Sequence, residues 1–303
     1  MQEMPDTRKI FCSALARELG DAVTGTATDV TVWLLLEYNG PWHEKATNDN
    51  DLPPAVQAHL DAALATIPSS RLLFIKQQRA EEGGVSFFVA RTDERAPQLA
   101  RFELANYEAL IDLDLEAIAG GEGGFAERIV DEPLFLVCTN GKRDKCCAKF
   151  GLPMFQAVAA AAPEITWQST HMGGHRYAPN MMFLPHSVNY GLLSPEEGAA
   201  AVAAHQRGEI YSLAHYRGRT YYPAHINAAD TFLRQETGLM RLDDLVLREE
   251  EEVADNRWQI VFELTATGER QALMLESELT AEPRLTSCST PALAPVERFR
   301  LLR

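Results

Sequence analysis

The sequence predicts an α/β chain built from two similar lobes and a small β appendage at the C-terminal end. Three observations carry that expectation. The order strand, helix, strand, strand, helix occurs on both sides of the glycine-rich stretch "GGEGG" (Gly120–Gly124). An Asn-Gly pair follows the first strand of each copy, at Asn39–Gly40 and Asn140–Gly141. Beyond Gly238 two strand-like runs flank a single turn. The recurring βαββα order is the core order of a thioredoxin-like domain, and the expected division is 1–124, 125–238 and 239–303.

The first lobe opens with "VTVWLLLEY" (Val30–Tyr38), a continuous apolar run rich in β-branched and aromatic residues, which reads as a strand buried on both faces. "AVQAHLDAALATI" reads as a helix after Pro54. "RLLFIKQ" and "VSFFVAR" are strands around a glycine turn, and "NYEALIDLDLEAI" is the closing helix. In the second lobe "PLFLVCTNG" is a strand, "PMFQAVAAAA" a helix, and "ITWQST" and "NMMFLP" are strands. "SPEEGAAAVAAHQRG" is a helix with Ser194 as N-cap and Pro195 in its first turn. In the appendage, "RWQIVFELTATGERQALMLES" is a hairpin turning at Thr267–Gly268, and the acidic run "REEEEVAD" before it reads as a solvated loop.

The charge balance bounds the partners. A net charge of −15 repels nucleic acid and anionic membranes and favours a partner protein with a basic docking face. No run approaches the ~18 apolar residues of a membrane span, and the N-terminal residues lack an apolar leader core. A cytoplasmic protein is expected, and in that compartment thiols stay reduced. The five cysteines then read as metal ligands, redox thiols or core packing rather than disulfides.

Three of them, Cys138, Cys146 and Cys147, fall within ten residues of one another in "LFLVCTNGKRDKCCAKFG". Cys138 lies where a buried strand meets a turn, at the carboxyl end where α/β folds place functional residues. Asp144 is a candidate cap for a helix beginning at Lys145. That helix would carry Cys146 and Cys147 in its first turn, where thiolate is favoured. Further on, "STHMGGHRYAP" places His171 and His175 four apart with two glycines between. Two glycines cost roughly 1 kcal/mol each in a helix, so a non-helical loop is expected there.

These strings carry a resemblance. "HMGGHRYAPNMMFLPHSVNYGLLSPEE" is similar to the cluster-binding segment of thioredoxin-like [2Fe–2S] ferredoxins, with His171 and His175 where those have cysteines. With "CSA", "GTA", "LLLEYNGPW", "GKRDKCCA" and "YG", the stretch Cys12–Asp230 resembles the sucrase/ferredoxin-like family, some of whose fungal members are bis-histidinyl [2Fe–2S] proteins. The resemblance implies a [2Fe–2S] cluster held by Cys138, Cys147, His171 and His175, with Cys146 as the alternative to Cys147. It also makes Pro179 a candidate cis proline before the third strand. Two ferric irons, two sulfides, two thiolates and two neutral imidazoles sum to zero charge, so such a cluster accepts an electron more readily than a four-cysteine one. Reduction raises the imidazole pKa, which couples the electron to a proton. The implied function is one-electron transfer or redox sensing, in a carrier that does not itself transform a substrate.

Other readings keep a place. Two Cys and two His also make a zinc set, and Cys138 with Cys146 or Cys147 would make a thiol oxidoreductase. The word "sucrase" asks for a carboxylate pair that this sequence does not single out. Arg143 and Arg176 flank the ligands, either as surface charges or as groups that tune the centre or bind an anion. Cys12 and Cys288 read as small buried hydrophobes, and the six other histidines as satisfied polar residues.

Overall fold

The computed structural model describes residues 11–78, 83–289 and 291–302. Residues 1–10, which hold half of the segment read as lacking a leader, lie outside it. The first lobe is β1 (Val32–Glu37), α2 (Pro54–Thr66), β2 (Ser70–Lys76), β3 (Val85–Arg91), β4 (Gln98–Leu104) and α3 (Leu115–Gly120), preceded by a short α1 (Cys12–Glu18). The second is β5 (Leu134–Cys138), α4 (Lys145–Ala161), β6 (Thr166–Ser169), β7 (Asn180–Leu184), β8 (Val188–Gly191) and α5 (Pro195–Gln206). β9 (Tyr216–Arg219) and α6 (Ala224–Thr237) follow.

All nine strands join one sheet, in the order β4-β3-β1-β2-β6-β5-β7-β8-β9. β1 pairs parallel with β2 and antiparallel with β3, and β5 repeats this with β6 and β7. The two thioredoxin-like lobes therefore share one topology. They meet edge to edge through β2 and β6, which run antiparallel with Ile75 opposite Ser169. One apolar cluster spans the seam, with Trp33, Leu35 and Ile75 from one side and Leu136, Trp167 and Met182 from the other. β1 and β5 are central in their halves and buried on both faces, which is why each reads as an unbroken apolar run.

The first half holds one strand more than the sequence suggests, β4, and the second half two more, β8 and β9. "NYEALIDLDLEAI" is not one helix. A 3₁₀ turn covers Glu108–Asp112, Leu113 is extended, and Asp114 caps a fresh start by accepting the Ala117 N–H at 3.0 Å. Ser194 does cap α5, in a reciprocal capping box with Glu197.

The acidic run is a strand and not a loop. β10 (Leu245–Ala254) pairs with β11 (Arg257–Leu264), and β12 (Arg270–Leu279) and β15 (Glu297–Leu302) complete an antiparallel sheet in the order β10-β11-β12-β15. β10 is an edge, and its glutamates keep that edge solvated and unattractive to another strand. The sheet packs Ile260, Phe262 and Leu275 against Ile226 and Leu233 of α6. Between β12 and β15 a small hairpin, β13 (Arg284–Leu285) and β14 (Leu293–Ala294), returns towards α1 and α4. No described helix is long and apolar enough to cross a membrane.

Candidate metal centre

Cys138 is the last residue of β5, at the carboxyl end of a strand buried along its whole length. Asp144 caps α4 as its position in the sequence suggests, accepting the Cys146 N–H at 2.9 Å. Cys146 and Cys147 are then consecutive on a helix, so their side chains diverge by about 100°. Cys147 turns towards Cys138 and His171, and one ligand atom from each of these three lies within 4.8 Å of the others. Its Sγ is 3.9 Å from His171 Nδ1. Cys146 turns away, to Cys12 Sγ at 3.5 Å and Cys288 Sγ at 3.3 Å. Cys12 and Cys288 are thus gathered around a third thiol rather than packed singly.

The histidine loop is not helical. Gly173 and Gly174 take φ of +104° and +69°, and His175 opens a 3₁₀ turn over His175–Tyr177. A Cβ on Gly173 would stand 2.3 Å from Thr28 Oγ1, and one on Gly174 2.2 Å from the Arg217 guanidinium. Both residues are therefore needed for handedness and for room. Two arginines fasten the loop from outside it. Arg217 donates to the Gly173 carbonyl and to Asn180 Oδ1, and Arg71 donates to the His171 carbonyl at 2.6 Å. Neither arginine is legible in the sequence, since both reach the loop from distant strands. The turn brings the rings of His171 and His175 to 5.1 Å between centroids. Ala178–Pro179 is cis, as the resemblance implies.

The electrostatics suit a cationic guest. A hydrogen bond from Cys147, with a second from His171, holds Cys138 well below the usual thiol range. The same bond to Cys138, with burial, pushes Cys147 well above it. The opposite directions make Cys138 the more acidic thiol of the two. Burial pushes His175 down, against the opposing pull of Asp144, and so favours the neutral ring that binds metals. Its Nδ1 is buried with no hydrogen-bond partner among the described residues. His175 stands beside the His171 ring but outside the group of Cys138, Cys147 and His171 whose ligand atoms converge, so three of the four expected ligands are brought together.

The cysteines are buried, while His171 lines a cleft of about 340 Å³ with Glu44, Lys45, Arg71, Arg143 and Thr170. Arg143 stands on that rim, 3.3 Å from Glu44. Arg176 is buried instead, paired with Asp21, which also takes Arg284 at 2.9 Å. Among the other histidines, His59 and His215 meet backbone carbonyls at 3.0 and 3.1 Å. His205 has no hydrogen-bond partner on either ring nitrogen among the described residues, and His186 none on Nδ1, so these two are not satisfied polar groups.

The sequence pattern of the sucrase/ferredoxin-like family matches residues 23–218, more than half of the 303-residue chain. The chain belongs to the sucrase/ferredoxin-like family. The matched span contains Cys138, Cys146, Cys147, His171 and His175, and leaves out Cys12 and Cys288. A curated relative, altered inheritance of mitochondria protein 32 of Meyerozyma guilliermondii, is 34% identical over 84 residues. That alignment covers 24% of this chain and 29% of the relative, so only a fraction of the relative's length is in common. No solved structure matches.

Proposed function

We propose that the chain is a one-electron carrier or redox sensor whose second lobe, residues 125–238, holds a [2Fe–2S] cluster through Cys138, Cys147, His171 and His175. The observation that carries this reading is the meeting of Cys138, Cys147 and His171 within 4.8 Å, with the His175 ring beside that of His171. Once bound, the cluster would supply reversible one-electron chemistry. The protein's own residues do the rest. Cys138 and Cys147 hold the buried side. His171 forms the cleft-facing edge, the shortest way out for an electron. The ring nitrogens not engaged by metal hold the proton that accompanies it.

The first lobe, 1–124, supplies Arg71, Thr28 and the seam, and serves as scaffold or docking surface. The overall charge of −15 favours a basic redox partner, although the cleft rim itself mixes Lys45, Arg71 and Arg143 with Glu44. Reduced thiols fit a cytoplasmic setting.

Exchanging both histidines, His171→Cys with His175→Cys, should keep the cluster and lower its midpoint potential, on the order of hundreds of millivolts. If His171→Ala and His175→Ala both leave spectrum and potential unchanged, the assignment is wrong. One observation favours a second reading. Three ligand atoms converging on one point also suit a single tetrahedral zinc ion, which would bring no sulfide and no reducible centre.

A further inference from the structure

Three thiols from the far reaches of the chain meet at the start of α4, and the electron-carrier reading uses none of them. Cys12 comes from α1, Cys146 from the first turn of α4, and Cys288 from the loop joining β13 and β14. Cys12 and Cys146 are buried, and ligand atoms of these three and Asp144 all lie within 4.8 Å of one another. The sulfur separations, 3.5 Å for Cys12–Cys146 and 3.3 Å for Cys146–Cys288, are far beyond a disulfide bond of ~2.05 Å. They are a few tenths of an ångström short of the ~3.8 Å edge of a zinc–thiolate tetrahedron with Zn–S near 2.3 Å.

Backbone groups reach two of the three sulfurs. The Cys12 backbone N–H donates to Cys288 Sγ at 3.0 Å, and the Ser13 backbone makes a hydrogen bond to Cys146. Asp144 is fully buried. Its Oδ1 accepts the Cys146 N–H at 2.9 Å, and its Oδ2 accepts the Cys288 N–H at 2.8 Å and the Ser287 hydroxyl at 3.1 Å. The Ser289 N–H adds a longer bond to Oδ2 at 3.4 Å, so a cation would be met by Oδ1, which has a single donor. A buried carboxylate among thiols is costly without a counter-charge.

We propose that Cys12, Cys146 and Cys288, completed by the Asp144 carboxylate, form a second metal site that takes a thiolate-seeking divalent cation, zinc, as a structural clasp. Zinc displaces the thiol protons to solvent and makes no redox change. The clasp ties the N-terminal helix and the C-terminal hairpin loop to the cap of α4, directly beside His175, whose Nε2 is 3.9 Å from Asp144. It is separate from the first centre, because Cys146 and Cys147 point to different sides of one helix.

The test uses the full chain, reduced and anaerobic, with Cys138→Ser and Cys147→Ser removing the first centre. Titrated with Co²⁺, this protein should bind about one equivalent with a thiolate-to-cobalt charge-transfer band, and Zn²⁺ should abolish the band by displacement. Adding Cys288→Ser, in a loop where folding is least at risk, should lose the band while the far-UV circular dichroism stays unchanged. As a check that needs no variant, Zn²⁺ should slow alkylation of Cys12, Cys146 and Cys288 in the wild-type chain by roughly tenfold or more. Absence of the cobalt band in a folded protein overturns the proposal. So does alkylation of Cys12 and Cys288 at the same rate with and without Zn²⁺.

Discussion

At the scale of single residues, the centre depends on backbone that only glycine supplies. Gly173→Ala or Gly174→Ala places a methyl group against Thr28 or Arg217 in a left-handed conformation. The cost is on the order of 1–3 kcal/mol, and most of it falls on the loop rather than on the sheet. Each variant should fold, melt a few degrees lower and lose bound metal, as read by metal content after desalting. His205 is a second case in which one residue decides a bulk property. Burial, helped by Arg219 and His186, pushes His205 down to about 3, and burial with Arg219 pushes His186 down to about 4.

Both rings are therefore kept neutral in the folded chain while the unfolded chain protonates near pH 6.5. Their contribution is fully present above that pH and is lost as the pH falls from 6.5 towards 3–4. Each tenfold loss of proton affinity on folding is worth ~1.4 kcal/mol, so the pair should remove several kcal/mol of stability over that range. His205→Phe, which lies among Phe135 and Phe183, should flatten the acid limb in urea titrations run at fixed ionic strength. An unchanged acid limb in that variant would place the proton uptake elsewhere.

At the scale of elements, α4 is the organiser. Asp144 starts it, and its first turn sends two adjacent cysteines to two different groups. Its Gly151 lets it lie against the end of β5: a Cβ there would stand 2.1 Å from the Cys138 carbonyl oxygen. Gly151→Ala should push α4 outward and part Cys147 from Cys138. The measurable result is metal affinity reduced at least about tenfold, or ~1.4 kcal/mol, with secondary structure retained.

What can be read in the sequence also sorts by element. β1, β5 and α5 announce themselves through an unbroken apolar run or a capping box. β8, as "VNYG", is four residues long with a polar Asn in its middle and carries no period to detect. β10 is hidden by the charges that protect it, since an edge strand dressed in glutamates looks like a loop. Cys138, His171 and His175 are legible because their partners are local or their loop is odd. Cys12 and Cys288 are not, because they meet Cys146 across 134 and 142 residues and nothing nearby in sequence marks them.

At the scale of the molecule, the two lobes are halves of one sheet with a common apolar seam, so they should unfold together. The candidate centre lies close to that seam: Arg71 and Thr28 of the first half hold the histidine loop of the second. The first half thus positions the loop that carries His171 and His175.

The central claim is the identity of the group held by Cys138, Cys147, His171 and His175. The measurement that addresses it most directly is iron and acid-labile sulfide on anaerobically purified full chain, with electron paramagnetic resonance after dithionite reduction. The account predicts two iron and two sulfide per chain, and a reduced signal that disappears in His171→Ala and His175→Ala. Stoichiometric zinc bound at the first centre with no sulfide, even after anaerobic reconstitution with iron and sulfide, would contradict it.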